Sequence, residues 1–148
     1  MDRRWPQVAR ATVLVALAGW ASAASGACSV SPSGVHFGMY NPSDGTALDG
    51  AGNIAVTCDT LTSFTVSLST GTGNYSQRRM TSGLGGLNYN LYVDPDRLQV
   101  WGDGTGGSLT VPSTLVLGAD LSIYGRVPAS QNPRAGTYVD TIVVTVTY

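Results

Sequence analysis

The sequence predicts an all-β protein, an antiparallel sandwich or barrel, on three observations. Apolar and hydroxyl side chains alternate in short runs, which is the two-residue period of a half-buried strand. Those runs are separated by Gly, Pro, Asn and Asp, the residues that turn a chain. The sequence contains no Lys and no Glu, so the best surface helix formers are missing while Gly, Ser and Thr abound.

The N-terminus comes first. Arg3, Arg4 and Arg10 precede an apolar run from Ala11 to Trp20, which is too short to span a bilayer, and small residues follow it. This is the pattern of a secretory signal peptide over residues 1–23. Ala21-Ser22-Ala23 fits the small-x-small cleavage pattern, with Ala27 as a second cleavage option. The remainder, residues 24–148, suits one domain with one core. A lipoprotein signal would acylate Cys28, but Ser25-Gly26-Ala27 lacks the large apolar residue expected three before the cysteine. Cys58 is the one other cysteine, and an even count in an exported chain makes a Cys28–Cys58 disulfide the expectation.

The strands follow in order. Val35 and Phe37 share a face of the first, and Cys28 and Val30 have the parity to point at the core. Ile54, Val56 and Cys58 share a face of the second. Phe64, Val66 and Leu68 should face inward before a turn at Gly71-Thr72-Gly73-Asn74. Leu87, Tyr89, Leu91 and Val93 repeat the pattern, with Asn88, Asn90 and Tyr92 opposite and a turn at Asp94-Pro95-Asp96. Gly102-Asp103-Gly104-Thr105-Gly106-Gly107 ends a strand carrying Val100 and Trp101. Two strands close the chain, around Leu121 to Val127 and from Tyr138 to Tyr148. A complete, free-standing sandwich would use a further strand near Thr110 to Leu117. In the last strand Ile142, Val144, Val146 and Tyr148 face one way, and Val143, Thr145 and Thr147 the other. A terminal strand with an apolar face must be paired, covered or offered to another chain.

Composition argues against several functions. After residue 23 five arginines are outnumbered by eight aspartates. That is the wrong balance for nucleic acid, which needs clustered positive charge. No later apolar run approaches membrane length. His36 lies between Val35 and Phe37, turned from their shared face, and no Gly-x-Ser-x-Gly accompanies it. Asp94, Asp96 and Asp103 match no calcium loop and read as turn residues. Gly102 to Gly107 has neither the lysine nor the helix of a phosphate loop. We therefore expect no catalytic residue, no metal and no cofactor. Tyr40, Tyr75, Tyr89, Tyr92, Trp101 and Tyr124 would serve a sugar-binding surface if exposed together, and a core if buried. Arg126 and Arg134 read as a solvated face.

A set of motifs adds to this reading: Cys28-Ser29-Val30, Phe37-Gly38-Met39-Tyr40, Gly52-Asn53-Ile54-Ala55-Val56-Thr57-Cys58, Arg79-Met80, Leu87-Asn88-Tyr89-Asn90-Leu91-Tyr92, Trp101-Gly102-Asp103-Gly104-Thr105, Tyr124-Gly125-Arg126 and Gly136-Thr137-Tyr138-Val139-Asp140-Thr141 with its Val-Thr-Val tail. In that order the chain resembles the spore coat protein U family, whose members include subunits of archaic chaperone-usher pili. The resemblance implies an immunoglobulin-like sandwich that lacks its last strand, leaving a groove beside Ile142, Val144, Val146 and Tyr148. It also implies partners: a periplasmic pilus chaperone, an outer-membrane usher and neighbouring fibre subunits, whose strand completes the fold by donor-strand complementation. The expected location is the cell surface, a fimbrium or the extracellular space, reached through the periplasm. Adhesion or biofilm formation follows from the same resemblance.

The sequence departs from a shaft subunit at one point. With cleavage after Ala23, only Ala24-Ser25-Gly26-Ala27 precedes Cys28. Four small residues reach at most ~14 Å and offer no large side chain to a pocket. A minor or terminal subunit, or a coat protein, is therefore expected, and a free-standing adhesive or carbohydrate-binding module is the alternative.

Overall fold

A computed structural model describes residues 26–83 and 85–148, so the leader read over residues 1–23 lies outside the described residues. Six strands are present: β1 (Cys28–His36), β2 (Leu48–Leu68), β3 (Arg78–Ser82), β4 (Gly85–Tyr92), β5 (Val111–Val127) and β6 (Val144–Thr147). No helix occurs among the described residues. Every strand pairing is antiparallel, in the order β1-β2-β5-β4-β3, with β6 also on β2.

Two long strands organise the molecule. The runs around Val56 and Val66 are one strand, because nothing between Ile54 and Leu68 is Gly or Pro. The chain bends there instead of breaking, and its pairing with β5 loses register between Thr57 and Thr62. β5 likewise joins the run at Leu121–Val127 to the one near Thr110–Leu117. At Gly118 the two strands leave no room for a side chain, since a Cβ there would sit 2.5 Å from the Val56 carbonyl oxygen. The sheet curls around one core. Ile54, Val56 and Cys58 enter it from the first half of β2, and Phe64, Val66 and Leu68 from the second. Leu87, Tyr89 and Leu91 of β4 and Ile123 and Val127 of β5 complete it with Trp101, whose indole N–H donates to Val66 O at 3.1 Å.

Cys28 and Cys58 stand directly opposite each other across β1 and β2 and form the disulfide, Cα atoms 4.1 Å apart. Asp59 N–H donates to Ala27 O, which sets the phase of that ladder. By alternation Cys28, Val30 and Pro32 turn their backbone groups to the free edge. Proline thus sits where it removes no ladder bond.

Three further expectations change. Val100 and Trp101 form isolated bridges and no strand, because Gly102 and its successors turn the chain at once. The strand expected from Tyr138 to Tyr148 is reduced to β6 plus a bridge at Val139. Its interruption has a local cause: the Asp140 carboxylate accepts from Thr72 N–H (3.0 Å) and from Thr141 N–H (2.9 Å), drawing that stretch out of the ladder. Asn90, expected opposite the buried face of β4, is itself buried, because its amide is the partner of Arg78.

Candidate functional site

The C-terminal segment runs antiparallel along β2 and then β3. Thr147 lies opposite Thr65, Val144 opposite Leu68, and Val139 opposite Thr81. Ser69 N–H donates to Val143 O at 3.0 Å, so Val143, Thr145 and Thr147 aim their backbone groups at β2. Val144 and Val146 therefore present their N–H and C=O groups on the other side. Among the described residues no strand pairs with that edge.

The side chains complete the picture. Ile142, Val144 and Val146 are half-buried and pack against the core, whereas Val143 is 58% exposed on the opposite face. Tyr148, at the chain end, is 59% exposed and lines a shallow cleft with Phe64 and Pro112. An edge with free backbone groups and an apolar, incompletely covered face has the chemistry to accept an added strand. Main-chain hydrogen bonds would supply affinity, and alternate side chains specificity.

A polar framework behind this edge escaped the sequence reading. Arg78 is fully buried. Its guanidinium donates from Nε (3.1 Å) and Nη2 (2.8 Å) to Ser69 O, from Nη2 to Trp101 O (2.7 Å) and from Nη1 to Asn90 Oδ1 (2.7 Å). It also lies 5.3 Å from the centre of the Tyr75 ring. Burial lowers its pKa. Beside it the Tyr89 hydroxyl donates to Asp140 Oδ2 at 2.7 Å, and burial followed by that bond pushes the phenol up. Strand parity held a signal: Arg78 falls in phase with buried Met80.

The other candidates are dispersed. His36 is exposed at the end of β1. The Asp94 carboxylate accepts from Leu98 and Gln99 N–H, and that of Asp103 from Thr105 N–H and hydroxyl, so both brace turns. Asp96 is exposed. Tyr89 and Trp101 are buried, and Tyr40, Tyr75, Tyr92 and Tyr124 are half-buried, so the six rings form no exposed aromatic patch. Arg126 pairs with Asp49, at 2.7 and 2.9 Å, and Arg134 is exposed. No described helix is long and apolar enough to cross a membrane.

Comparison with known proteins agrees with the geometry. The sequence profile of the Spore Coat Protein U domain matches residues 11–145. Protein U of Myxococcus xanthus is 34% identical over 141 residues, covering 83% of this chain and 78% of that protein. Among solved structures, the chain is similar to one in the CsuC-CsuE chaperone-tip adhesion subunit pre-assembly complex from archaic chaperone-usher Csu pili of Acinetobacter baumannii. The TM-score is 0.58 at 21% identity, over 84% of this chain. This chain spans 40% of the length of that structure's chain, and the likeness is one of fold.

Proposed function

The chain belongs to the spore coat protein U domain family, and on that footing we propose that it is an exported structural subunit of a bacterial surface fibre or coat, completed by a strand donated from a partner. The observation that carries this reading is the free edge of the C-terminal segment. Its outward backbone groups at Val144 and Val146 lie beside the half-buried face of Ile142, Val144 and Val146. The role is structural and not enzymatic. The groove strand is Ile142 to Tyr148, and residues 24–148 form the functional domain after loss of residues 1–23.

The partners follow from strand addition. A periplasmic chaperone covers the edge first, and a neighbouring subunit replaces it at an outer-membrane usher. With cleavage after Ala23, the short segment before Cys28 suits an acceptor and not a donor, which assigns this chain a minor or terminal place in a fibre, or a coat.

The test is expression of the full chain in a bacterial periplasm, alone and with a pilus chaperone, followed by size-exclusion chromatography with light scattering. Aggregation or degradation alone, and a one-to-one complex with the chaperone, is the expected result. A stable monomer that needs no partner would replace this reading with a free-standing sandwich.

Adhesion draws on a separate observation. Leu61, Leu115 and Leu117 are exposed where β2 and β5 part, and Leu115 holds a positive φ of 48° that a leucine rarely adopts. Attachment of cells to a hydrophobic surface should then fall on Leu115→Ser, with fibre assembly unchanged. Equal attachment by the variant would remove the adhesive role.

A further inference from the structure

Resting on the strand-acceptor reading above, a question of register arises at the accepting strand itself. Strand side chains alternate with a period of two, so a slip of one residue exchanges the two faces of a strand. In the segment Ile142-Val143-Val144-Thr145-Val146-Thr147 every residue is β-branched, so strand propensity is the same in either register. The apolar face favours the observed register less than in a closed sandwich, because Ile142, Val144 and Val146 are only half-buried and Val143 offers a fourth apolar side chain on the other face. The ladder of β6 on β2 is only four residue pairs long.

Polar contacts just ahead of that ladder have one arrangement each. Val143 N–H donates to the Ser69 hydroxyl at 2.9 Å, and Ser69 N–H returns a bond to Val143 O. Ser69 O is itself fixed by two donors of buried Arg78. One turn of chain earlier, the Asp140 carboxylate is gripped by Tyr89 O–H from β4 and by Thr72 N–H from the turn after β2. A one-residue slip of the C-terminal segment would break the Val143–Ser69, Asp140–Thr72 and Asp140–Tyr89 bonds, leaving Ser69, still held by Arg78, and Tyr89 without their partners.

We propose that Ser69 and Asp140, braced by Arg78 and Tyr89, are register-setting residues: they fix which backbone groups and which side chains the C-terminal segment offers to an incoming strand. They touch no donor and act by positioning Val144 and Val146.

Disulfide trapping reads the register directly. Ser67 and Thr145 are directly opposite on the outer face, at a hydrogen-bonded position whose ~5.5 Å Cα spacing suits a disulfide. The full chain is expressed in a periplasm with Ser67→Cys/Thr145→Cys, or with the slipped pairs Ser67→Cys/Val144→Cys and Ser67→Cys/Val146→Cys. Cross-links are mapped by mass spectrometry. Capture of a synthetic donor peptide of alternating Val and Thr is measured in parallel.

With the native framework only the 67–145 bridge should form. Adding Asp140→Ala and Ser69→Ala should raise the slipped bridges at least tenfold and reduce peptide capture. If that double variant does not accumulate, Tyr89→Phe and Asp140→Asn, which nearly conserve volume, are read in the same way, with a several-fold rise expected. A sole 67–145 bridge in all variants that accumulate overturns the proposal. Failure of the chain with the native framework to capture any peptide, while the bridge pattern of the cysteine pairs still responds to the variants, would instead remove the acceptor reading and leave the register framework standing.

Discussion

Burying a guanidinium is costly unless its N–H groups find acceptors, and Arg78 meets that condition with two carbonyls and the Asn90 amide in place of a carboxylate. Removing it strips Ser69 O and Trp101 O of their side-chain donors at once and leaves Asn90 Oδ1 with Leu91 N–H alone. Arg78→Leu should therefore destabilise the fold by about 2–5 kcal/mol, the cost of leaving two buried carbonyls without a donor. Arg78→Lys should recover little, because a compact ammonium cannot span three separate acceptors. Trp101 is the only tryptophan after residue 23 and contacts this knot, so its fluorescence in urea titrations of the purified protein reports the change. Removal of the Cys28–Cys58 bridge by paired serines acts mainly on the unfolded chain and should cost about 3.5 kcal/mol by the same measurement. The bridge was legible from cysteine count and parity. The knot was not, because a charged residue in strand phase reads by composition as solvated, and only the fold brings its acceptors together.

At the scale of elements, β2 and β5 carry most of the architecture, and their contacts make two testable statements. Gly125 of β5 lies beneath the end of β1, where an added Cβ would sit 2.7 Å from two ring carbons of Phe37 and 2.8 Å from Val35 Cγ1. Gly125→Ala should destabilise the protein by about 1–3 kcal/mol, with Phe37→Leu in the same chain restoring part of the loss in thermal unfolding. Asp49 and Arg126 stand opposite across the same strand pair, and the Arg126 hydrogen bond, aided by Arg97, holds the Asp49 carboxyl below the usual range. A lowered carboxyl stabilises the fold above its unfolded pKa of about 4, and that contribution disappears as pH falls through the lower folded value. Both side chains are 37% exposed, so screening limits the pair to about 0.5 kcal/mol. Asp49→Asn should show that small deficit in urea unfolding at pH 7, and the deficit should vanish in strong acid. Alternation located the inward residues of β1, β2 and β4. It misjudged how far strands run, because continuity depends on a break being absent at Asp59–Thr62 and on Asp140 capturing the Thr72 N–H from a turn almost seventy residues away.

At the scale of the molecule, an added donor strand would give adjacent residues on the C-terminal segment opposite fates, which allows the acceptor reading to be tested within one strand. Val144 turns its side chain to the incompletely covered core and its backbone to the free edge, while Val143 is on the outer face with its backbone committed to β2. In the uncovered subunit a carboxylate at either position still reaches water. A donor strand changes this for Val144 alone, since covering the groove would desolvate the charge with no partner to meet it, a penalty of several kcal/mol. Val144→Asp should therefore weaken capture of a chaperone or donor peptide by at least about a hundredfold, equivalent to ~3 kcal/mol. Val143→Asp should change capture by no more than a few-fold, and both variants should retain the Cys28–Cys58 disulfide. Titration of each variant against a fluorescent donor peptide, with mass spectrometry of the disulfide, measures both sides. Equal losses would mean that the segment is sensitive to charge as such. An unaffected Val144→Asp would mean that the partner strand, if one is accepted, lies along another edge.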